Sequence, residues 1–152
     1  MFGGSWTLDL PRLEERWLPS KRTDDKITYS MAYQLVSPLN SYWGYFRKHQ
    51  FVPAVKGKLL VPEKSGVFHG IADMDNKKIG YPTSVLLFCD GREWHFDDSG
   101  NFVAQVEEPS TVIYRRDSAH RVKRIEGWCG KDLYANIKIE YDKQGRMKSA
   151  AG

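Results

Sequence analysis

The stretch Ile-Thr-Tyr-Ser-Met-Ala-Tyr-Gln-Leu at residues 27–35 decides the fold class, because apolar side chains alternate there with small or polar ones. A period of two is that of a β-strand, in which successive side chains point to opposite faces of the sheet. We therefore predict a strand over residues 27–35 with one face against a core. That apolar face consists of Ile27, Tyr29, Met31, Tyr33 and Leu35.

Short apolar segments separated by turn residues fill most of the chain that follows. Asp90-Gly91 lies between two such segments and is a strong signal for a tight hairpin. The absence of a helical period between the segments favours an antiparallel meander over a parallel βαβ sheet. Val85–Cys89 is apolar throughout, which predicts a central strand buried on both faces. The predicted strands cover residues 56–61, 67–74, 83–89, 93–96, 101–107, 111–116, 121–126 and 133–141.

The first 25 residues are the least regular part of the sequence. Leu13, Trp17 and Leu18 form a partial apolar stripe, so we predict a short helix over Pro11–Leu18 that Pro19 ends. Residues 39–48 are ambiguous: their aromatic density is typical of a strand, whereas Leu39, Tyr42, Trp43 and Phe46 would share a helix face. Of these, we favour a short helix or an irregular aromatic-rich loop.

A chain of 152 residues, 41% of them hydrophobic, is long enough to bury one core. The sequence predicts one mainly β domain over residues 1–152. We expect an antiparallel meander of eight to ten strands, barrel-like or strongly curved, with one short N-terminal helix.

Composition also limits the location and the cofactors. Val85–Cys89 is the longest apolar run and is far shorter than the roughly 20 residues of a membrane span, so no transmembrane segment is predicted. No basic region followed by an apolar stretch opens the sequence, which favours a cytoplasmic location. Cys89 and Cys129 lack metal-ligand spacing, and we predict buried, inert thiols, with a single disulfide as the alternative in an exported protein. No cofactor and no metal site is predicted.

The net charge of +4 comes from the last quarter of the chain. Residues 1–110 contain 13 Lys and Arg against 14 Asp and Glu, whereas residues 111–152 contain 10 against 5. The excess predicts either a basic face for an acidic partner or ordinary solvated strand faces that discourage edge pairing. The basic residues concerned are Arg115, Arg116, Arg121, Lys123 and Arg124.

Aromatic residues make up 13% of the chain, and four of them lie within five positions. Tyr42, Trp43, Tyr45 and Phe46 fit an anchor patch for a protein partner, because Trp and Tyr dominate binding hot spots. The alternatives are a core plug at a barrel end and the wall of a ligand cavity. Stacking on single-stranded nucleic acid ranks last, because no RNA-binding signature accompanies the cluster.

The histidines give a weak signal for catalysis. His95 is predicted to share a strand face with Glu93 and Asp97, which fits a general base with an orienting acid or a solvated polar face. His69 lies on another alternating segment and is, with His95, a candidate polar group of a cavity. No phosphate-binding loop, zinc-protease motif or nucleophile elbow occurs, so we predict no catalytic residue and favour a protein that is not an enzyme.

One turn pattern recurs in the last 60 residues. Phe96–Phe102 and Tyr141–Met147 both read aromatic, Asp, two polar residues, Gly, polar, apolar, and Arg116–Val122 is a looser copy. We expect the Asp to hydrogen-bond to its own turn and the Gly to adopt a positive φ. The pattern resembles the YD repeats of bacterial Rhs-type proteins, whose signature is Tyr-Asp-x-x-Gly-Arg-apolar. This resemblance implies the setting of bacterial polymorphic toxins, in which small β-rich immunity proteins bind a cognate toxin domain.

A second resemblance lies at Gly4-Ser5-Trp6, which is similar to the Gly-x-Trp that opens lipocalin-like barrels. It implies a barrel that holds a small apolar ligand, or a small enzyme with His95 or His69 in such a cavity. Between the two, we favour a non-enzymatic protein-binding domain, in its most specific form an immunity-type inhibitor of a toxin domain. The aromatic cluster at residues 42–46 would be its contact surface and the five basic residues their complement.

Overall fold

The computed structural model describes residues 8–36, 45–48, 50–53, 55–61 and 78–152. Twelve strands lie in these residues and form two antiparallel sheets. The smaller sheet contains β1 (Arg12–Arg22), β2 (Ile27–Val36) and β3 (Tyr45–Phe46). The larger sheet contains β4 (Phe51–Val52), β5 (Gly57–Leu60), β6 (Ser84–Phe88), β7 (Glu93–Phe96), β8 (Phe102–Glu107), β9 (Ser110–Arg116), β10 (Val122–Cys129), β11 (Asp132–Tyr141) and β12 (Met147–Ala151).

The larger sheet is a meander, as predicted. Its strand order follows the chain from β4 to β12, and each strand pairs with the next one in sequence. β4 and β12 are its two edges, so the strands that the structure describes do not form a closed barrel. Val85 and Leu86 point to opposite faces of β6 and are both buried, which confirms the prediction of a central strand there.

Four turns of the meander share one backbone geometry. In each turn, the N–H of the first residue donates to the carbonyl of the fifth, and the N–H of the fourth donates to the carbonyl of the first, at 2.8–3.0 Å. The fourth residue always has a positive φ, between 64° and 91°. This is a type I turn followed by a left-handed residue, a common hairpin connection. The turns are residues 88–92, 97–101, 117–121 and 142–146.

In three of these turns an aspartate holds the loop closed, as the sequence predicted. Oδ1 of Asp142 accepts the N–H groups of Gln144 and Arg146 at 3.0 and 2.9 Å, and its Oδ2 accepts Nε of Arg146 at 2.9 Å. Asp97 and Asp117 make the equivalent bonds in their own turns. One local sequence pattern therefore produces one turn three times.

The core lies between the two sheets. Leu13, Leu35 and Phe46 of the small sheet pack with buried residues of β5 to β8. Aromatic rings run through this core in edge-on contacts: Phe102 lies 5.6 Å from Phe96 and 5.7 Å from Trp94, measured between ring centroids. Part of the high aromatic content is thus core packing, in which each buried ring contributes about 1.5–3 kcal/mol.

One hydrogen bond fastens the small sheet to the large one. The N–H of Leu13 donates to the carbonyl of Gly100 at 2.9 Å, and Arg12 forms an isolated bridge to Asn101. A Cβ on Gly100 would lie 1.9 Å from the carbonyl oxygen of Leu13. Gly100 also has a φ of 82°, so both its conformation and this close approach require glycine.

The short helix predicted over Pro11–Leu18 is wrong, because these residues belong mainly to β1. Leu13 and Trp17 are four positions apart, which fits one face of a helix and one face of a strand equally well. The antiparallel ladder with β2, from Arg12 opposite Val36 to Arg22 opposite Ile27, decides between them. Long-range pairing overrides the helix propensity of the intervening charged residues.

Most predicted strands are confirmed within a residue or two, and β12 was missed. Met147–Ala151 has neither alternation nor β-branched residues, although the turn before it was predicted. The segment 67–74, most of residues 39–48 and Gly4-Ser5-Trp6 lie outside the described residues. No helix in the described part of the chain is long and apolar enough to span a membrane.

We expect Gly100→Ala to destabilise the protein far more than Gly145→Ala. Both glycines have φ near 80°, so strain alone costs each variant about 1–2 kcal/mol. Only Gly100 faces the backbone of β1, and the clash raises its cost to about 3 kcal/mol or more. Urea unfolding measures the difference, and equal losses would show that the Leu13 contact is unimportant.

We expect His120→Gly to stabilise the protein by about 0.5–1 kcal/mol, because His120 occupies the left-handed position of its turn with a φ of 64°. Ser118→Gly, in the same turn but without a positive φ, is the matched control and should lower stability through chain entropy. Thermal unfolding of both variants tests the pair, and a loss in His120→Gly would refute strain at this position.

Candidate functional site

The β1–β2 hairpin has one apolar face whose two ends have different surroundings. Leu13 lies opposite Leu35 at the inner end, and both side chains are buried in the core. Trp17 lies opposite Met31 further along the same face, and Pro19 lies opposite Tyr29. The pairing thus places core residues and exposed aromatic residues on one continuous surface.

The outer end of this face is strongly exposed. Trp17 has 64% of its surface exposed, Tyr29 has 52% and Ile27 has 46%. We call Trp17, Ile27 and Tyr29 the hairpin patch. Large exposed aromatic side chains gathered on one face mark interaction surfaces in soluble proteins, whereas scattered single ones do not.

Charged residues of both signs surround the hairpin patch. Glu15 and Lys21 flank it on β1, and the loop after β1 contains Asp24, Asp25 and Lys26. These side chains are exposed. An aromatic centre with a mixed polar rim is the usual anatomy of a protein–protein interface.

Beside the patch, the outer edge of β1 has no pairing strand among the described residues. The N–H of Leu13 points away from β2, towards Gly100, so by alternation those of Glu15 and Trp17 point the same way. The backbone nitrogen of Pro19 faces the same way. It has no hydrogen to donate, and proline is tolerated in a strand where this side has no pairing strand. The patch therefore adjoins a short stretch of strand edge.

The structure describes two of the four aromatic residues of the predicted contact cluster, and these two have opposite surroundings. Tyr45 is exposed and Phe46 is buried in the core, because neighbouring residues of β3 point to opposite faces. Tyr42 and Trp43 lie outside the described residues. Of the two that the structure places, only Tyr45 can contact a partner.

Arg115 is engaged in the fold rather than in a basic surface. Its guanidinium bonds to both carboxylate oxygens of Glu126, at 3.1 and 3.2 Å, and to the carbonyls of Ile79 and Lys78. Burial alone would raise the pKa of Glu126, but the hydrogen bonds from Arg115 and from the indole of Trp128 outweigh it and lower the pKa. This group is a partly buried ion pair that links β9 to β10.

The other four basic residues divide into two pairs. Arg116 donates to the carbonyls of Phe102 and His120, and Arg121 pairs with its turn carboxylate. Lys123 and Arg124 are exposed on β10. Of the five basic residues that were expected to form a partner surface, only Lys123 and Arg124 have no side-chain hydrogen bond within the described residues.

His95 lies in a buried hydrogen-bonded chain. Its Nδ1 is 2.7 Å from the hydroxyl of Thr83, and its Nε2 is 3.1 Å from Oε1 of Glu93. The order hydroxyl, imidazole, carboxylate is that of a nucleophile with its base and orienting acid. All three side chains are buried, so substrate cannot reach them in this structure and the solvated-face interpretation is wrong.

The remaining predicted groups lie elsewhere. Asp97, expected beside His95, closes its own turn instead, and His69 lies outside the described residues. Cys89 and Cys129 are unlinked and both exposed, so the prediction of buried thiols is wrong. Among the described residues, no group of three or more His, Cys, Asp or Glu side chains could hold a metal ion.

Sequence reasoning missed the hairpin patch. Ile27 and Tyr29 were predicted to face the core together with Leu35, and Trp17 was assigned to a helix. The two ends differ because the inner end packs against the large sheet and the outer end extends beyond that contact. Alternation alone contains no signal for that difference.

Comparisons of this chain with protein-family models, with curated proteins and with solved structures find no match.

We expect Glu126→Gln to lower the free energy of unfolding at pH 7 by about 2 kcal/mol, because it removes the charge that pairs with Arg115. The pKa of Glu126 is lowered in the fold, so the pair stabilises the protein above the ordinary value of 4.5, and this stability is lost as the pH falls through the lower folded value. The variant should therefore lose less stability than the wild type on acidification below pH 4.5. Urea unfolding at a series of pH values measures this, and parallel acid limbs would contradict the role of the ion pair.

Proposed function

We propose that this chain is a protein-binding domain that contacts its partner through the hairpin patch. The observation that carries the proposal is the exposure of Trp17, Tyr29 and Ile27 on a single sheet face that continues into the core. Burying such a face against a partner extends the packing that already exists at its inner end.

The charges beside the patch support a protein as the partner. An anionic membrane or a nucleic acid would be favoured by a surplus of Lys and Arg around the aromatic side chains. Here Asp24 and Asp25 lie beside Lys26 in the loop, and Glu15 lies on the same strand as Lys21. A rim of mixed sign fits a partner with an apolar surface and charged groups of both signs around it.

A toxin domain is the specific partner that the resemblance of the turns to YD repeats implies, and it stays a prediction. The recurring turns support it only as sequence chemistry, because any hairpin can use Asp and Gly in this way. The lipocalin-like alternative requires a closed barrel, and the described strands form an open sheet.

The test is a binding titration with the partner captured by the full chain from a lysate of its own source and then purified. We expect the double variant Trp17→Ala, Tyr29→Ala to weaken this binding at least about tenfold, because Trp and Tyr are the residue types that contribute most to binding energy at interfaces. Phe51→Ala is the matched control, since Phe51 is an equally exposed ring on β4 of the larger sheet, and it should change the affinity less than about twofold.

Tyr45→Ala distinguishes the hairpin patch from the aromatic cluster that the sequence predicted. Circular dichroism and thermal unfolding must show that every variant is folded. Unchanged binding by the Trp17 and Tyr29 double variant would overturn the proposal. A loss of binding only in Tyr45→Ala would move the contact surface to β3, and concentration-dependent dimerisation lost in the double variant would identify a second copy as the partner.

A further inference from the structure

An open cavity of about 330 Å³ lies where the segment before β1 meets the large sheet. It is formed by the segment that leads into β1 and by the turns that connect β9 with β10 and β11 with β12. Its volume is at the lower end of the range for small-molecule sites. Three arginines line it, namely Arg12, Arg116 and Arg121. No Asp or Glu is among the described residues of its wall.

Arg116 is a half-buried cation without a carboxylate partner among the described residues. Its Nε and Nη2 donate to the carbonyl of Phe102 at 3.2 and 2.7 Å, and its Nη1 donates to the carbonyl of His120 at 2.6 Å. These bonds use three of its five N–H groups. Burial lowers the pKa of Arg116, although the charge of Asp97 opposes this shift, so an anion in the cavity would offset the cost of burying the guanidinium.

Arg121 presents a second guanidinium to the same space. Only its Nε is bonded, to Oδ2 of Asp117 at 3.0 Å, and its Cζ lies over the ring of Tyr141, 4.5 Å from the ring centroid. The stacking and the turn bond hold the guanidinium in place. Its terminal N–H groups have no acceptor among the described residues, and a Cβ on Gly145 would lie 3.8 Å from Nη1.

The rest of the wall is largely apolar. Leu8, Leu10 and Pro11 line it from the segment before β1, and Val122 and Met147 line it from the large sheet. A wall that combines fixed guanidinium groups with aliphatic side chains suits a ligand with an anionic head and an apolar tail. The planar N–H fork of arginine matches a carboxylate head group.

We propose that this cavity binds a carboxylate with a short apolar tail, held by Arg116 and Arg121. The inference is independent of the hairpin patch, which lies on other residues. Two sources have this chemistry, a free aliphatic acid and the C-terminus of a polypeptide that ends in an apolar residue.

The first experiment follows the methyl signals of Met147 and Val122 by NMR during titration with octanoate. We expect saturable shifts with a Kd of about 1 mM or tighter, as befits a ligand of this size. The isosteric alcohol 1-octanol lacks the charge and should shift these signals at least about tenfold more weakly. Equal responses to the acid and the alcohol, no response to either, or a stronger response to inorganic phosphate would each overturn the proposal.

The matched variants are Arg121→Asn and Arg146→Asn. Both arginines bond to the aspartate of their own turn. Asn101 makes the equivalent bond to Asp97, at 3.2 Å, in the turn of residues 97–101, so asparagine preserves the turn. Only Arg121 lines the cavity. We expect Arg121→Asn to weaken octanoate binding at least about fivefold and Arg146→Asn to leave it unchanged. Equal effects of the two substitutions would contradict the role of Arg121.

The source is distinguished with the peptide acetyl-Ala-Leu-Leu as the free acid and as the amide. Tighter binding of the peptide acid than of octanoate, with loss in the amide, identifies a polypeptide terminus. If octanoate binds and the peptide acid does not, the natural ligand is a free aliphatic acid. Equal binding of the peptide acid and its amide would refute recognition of the carboxylate.

Discussion

The hydrogen bond from the N–H of Leu13 to the carbonyl of Gly100 is the constraint on which the arrangement of this protein depends. It brings the first strand of the small sheet against a turn of the large one, at a distance that no side chain on Gly100 could permit. Because β1 is held at its first residues, the inner third of the hairpin packs in the core. The rest of the hairpin extends beyond the contact and leaves its apolar face exposed.

The same contact creates the cavity. The segment before β1 must pass beside the turns of the large sheet to reach Gly100, and the space it leaves is lined by Arg116 and Arg121. Both arginines point there for local reasons: one satisfies the backbone carbonyls of its neighbours and the other holds an aspartate turn. Two arginines that stabilise turns thus line one cavity between the segment before β1 and the large sheet, and each has N–H groups that its turn does not use.

Local chemistry made much of the large sheet predictable. The strands on both sides of Asp90-Gly91 and the strand before Asp142–Gly145 could be placed, because these residues specify a turn whatever surrounds them. The small sheet was harder to predict, since Leu13 and Trp17 fit a helix and a strand equally and only the distant partner β2 decides.

The candidate site was harder still to predict. Phe46 and Tyr45 are adjacent aromatic residues with opposite surroundings. Arg115 is a surface cation by composition, but in the fold it is partly buried and pairs with Glu126. Such outcomes depend on tertiary neighbours that a local pattern does not contain.

The projecting half of the hairpin is the part of the fold with the weakest support. At its inner end, the ladder between β1 and β2 is reinforced by burial against the large sheet, whereas the side chains of Trp17 and Tyr29 further out are more than half exposed. An isolated two-stranded hairpin is only marginally stable in water, so this half opens at a lower free energy than the core does. A partner that covers the face would add apolar burial at the place where the ladder lacks it. Binding at the proposed surface would thus raise the local stability of the hairpin, because it would bury the aromatic side chains that the free protein leaves in water.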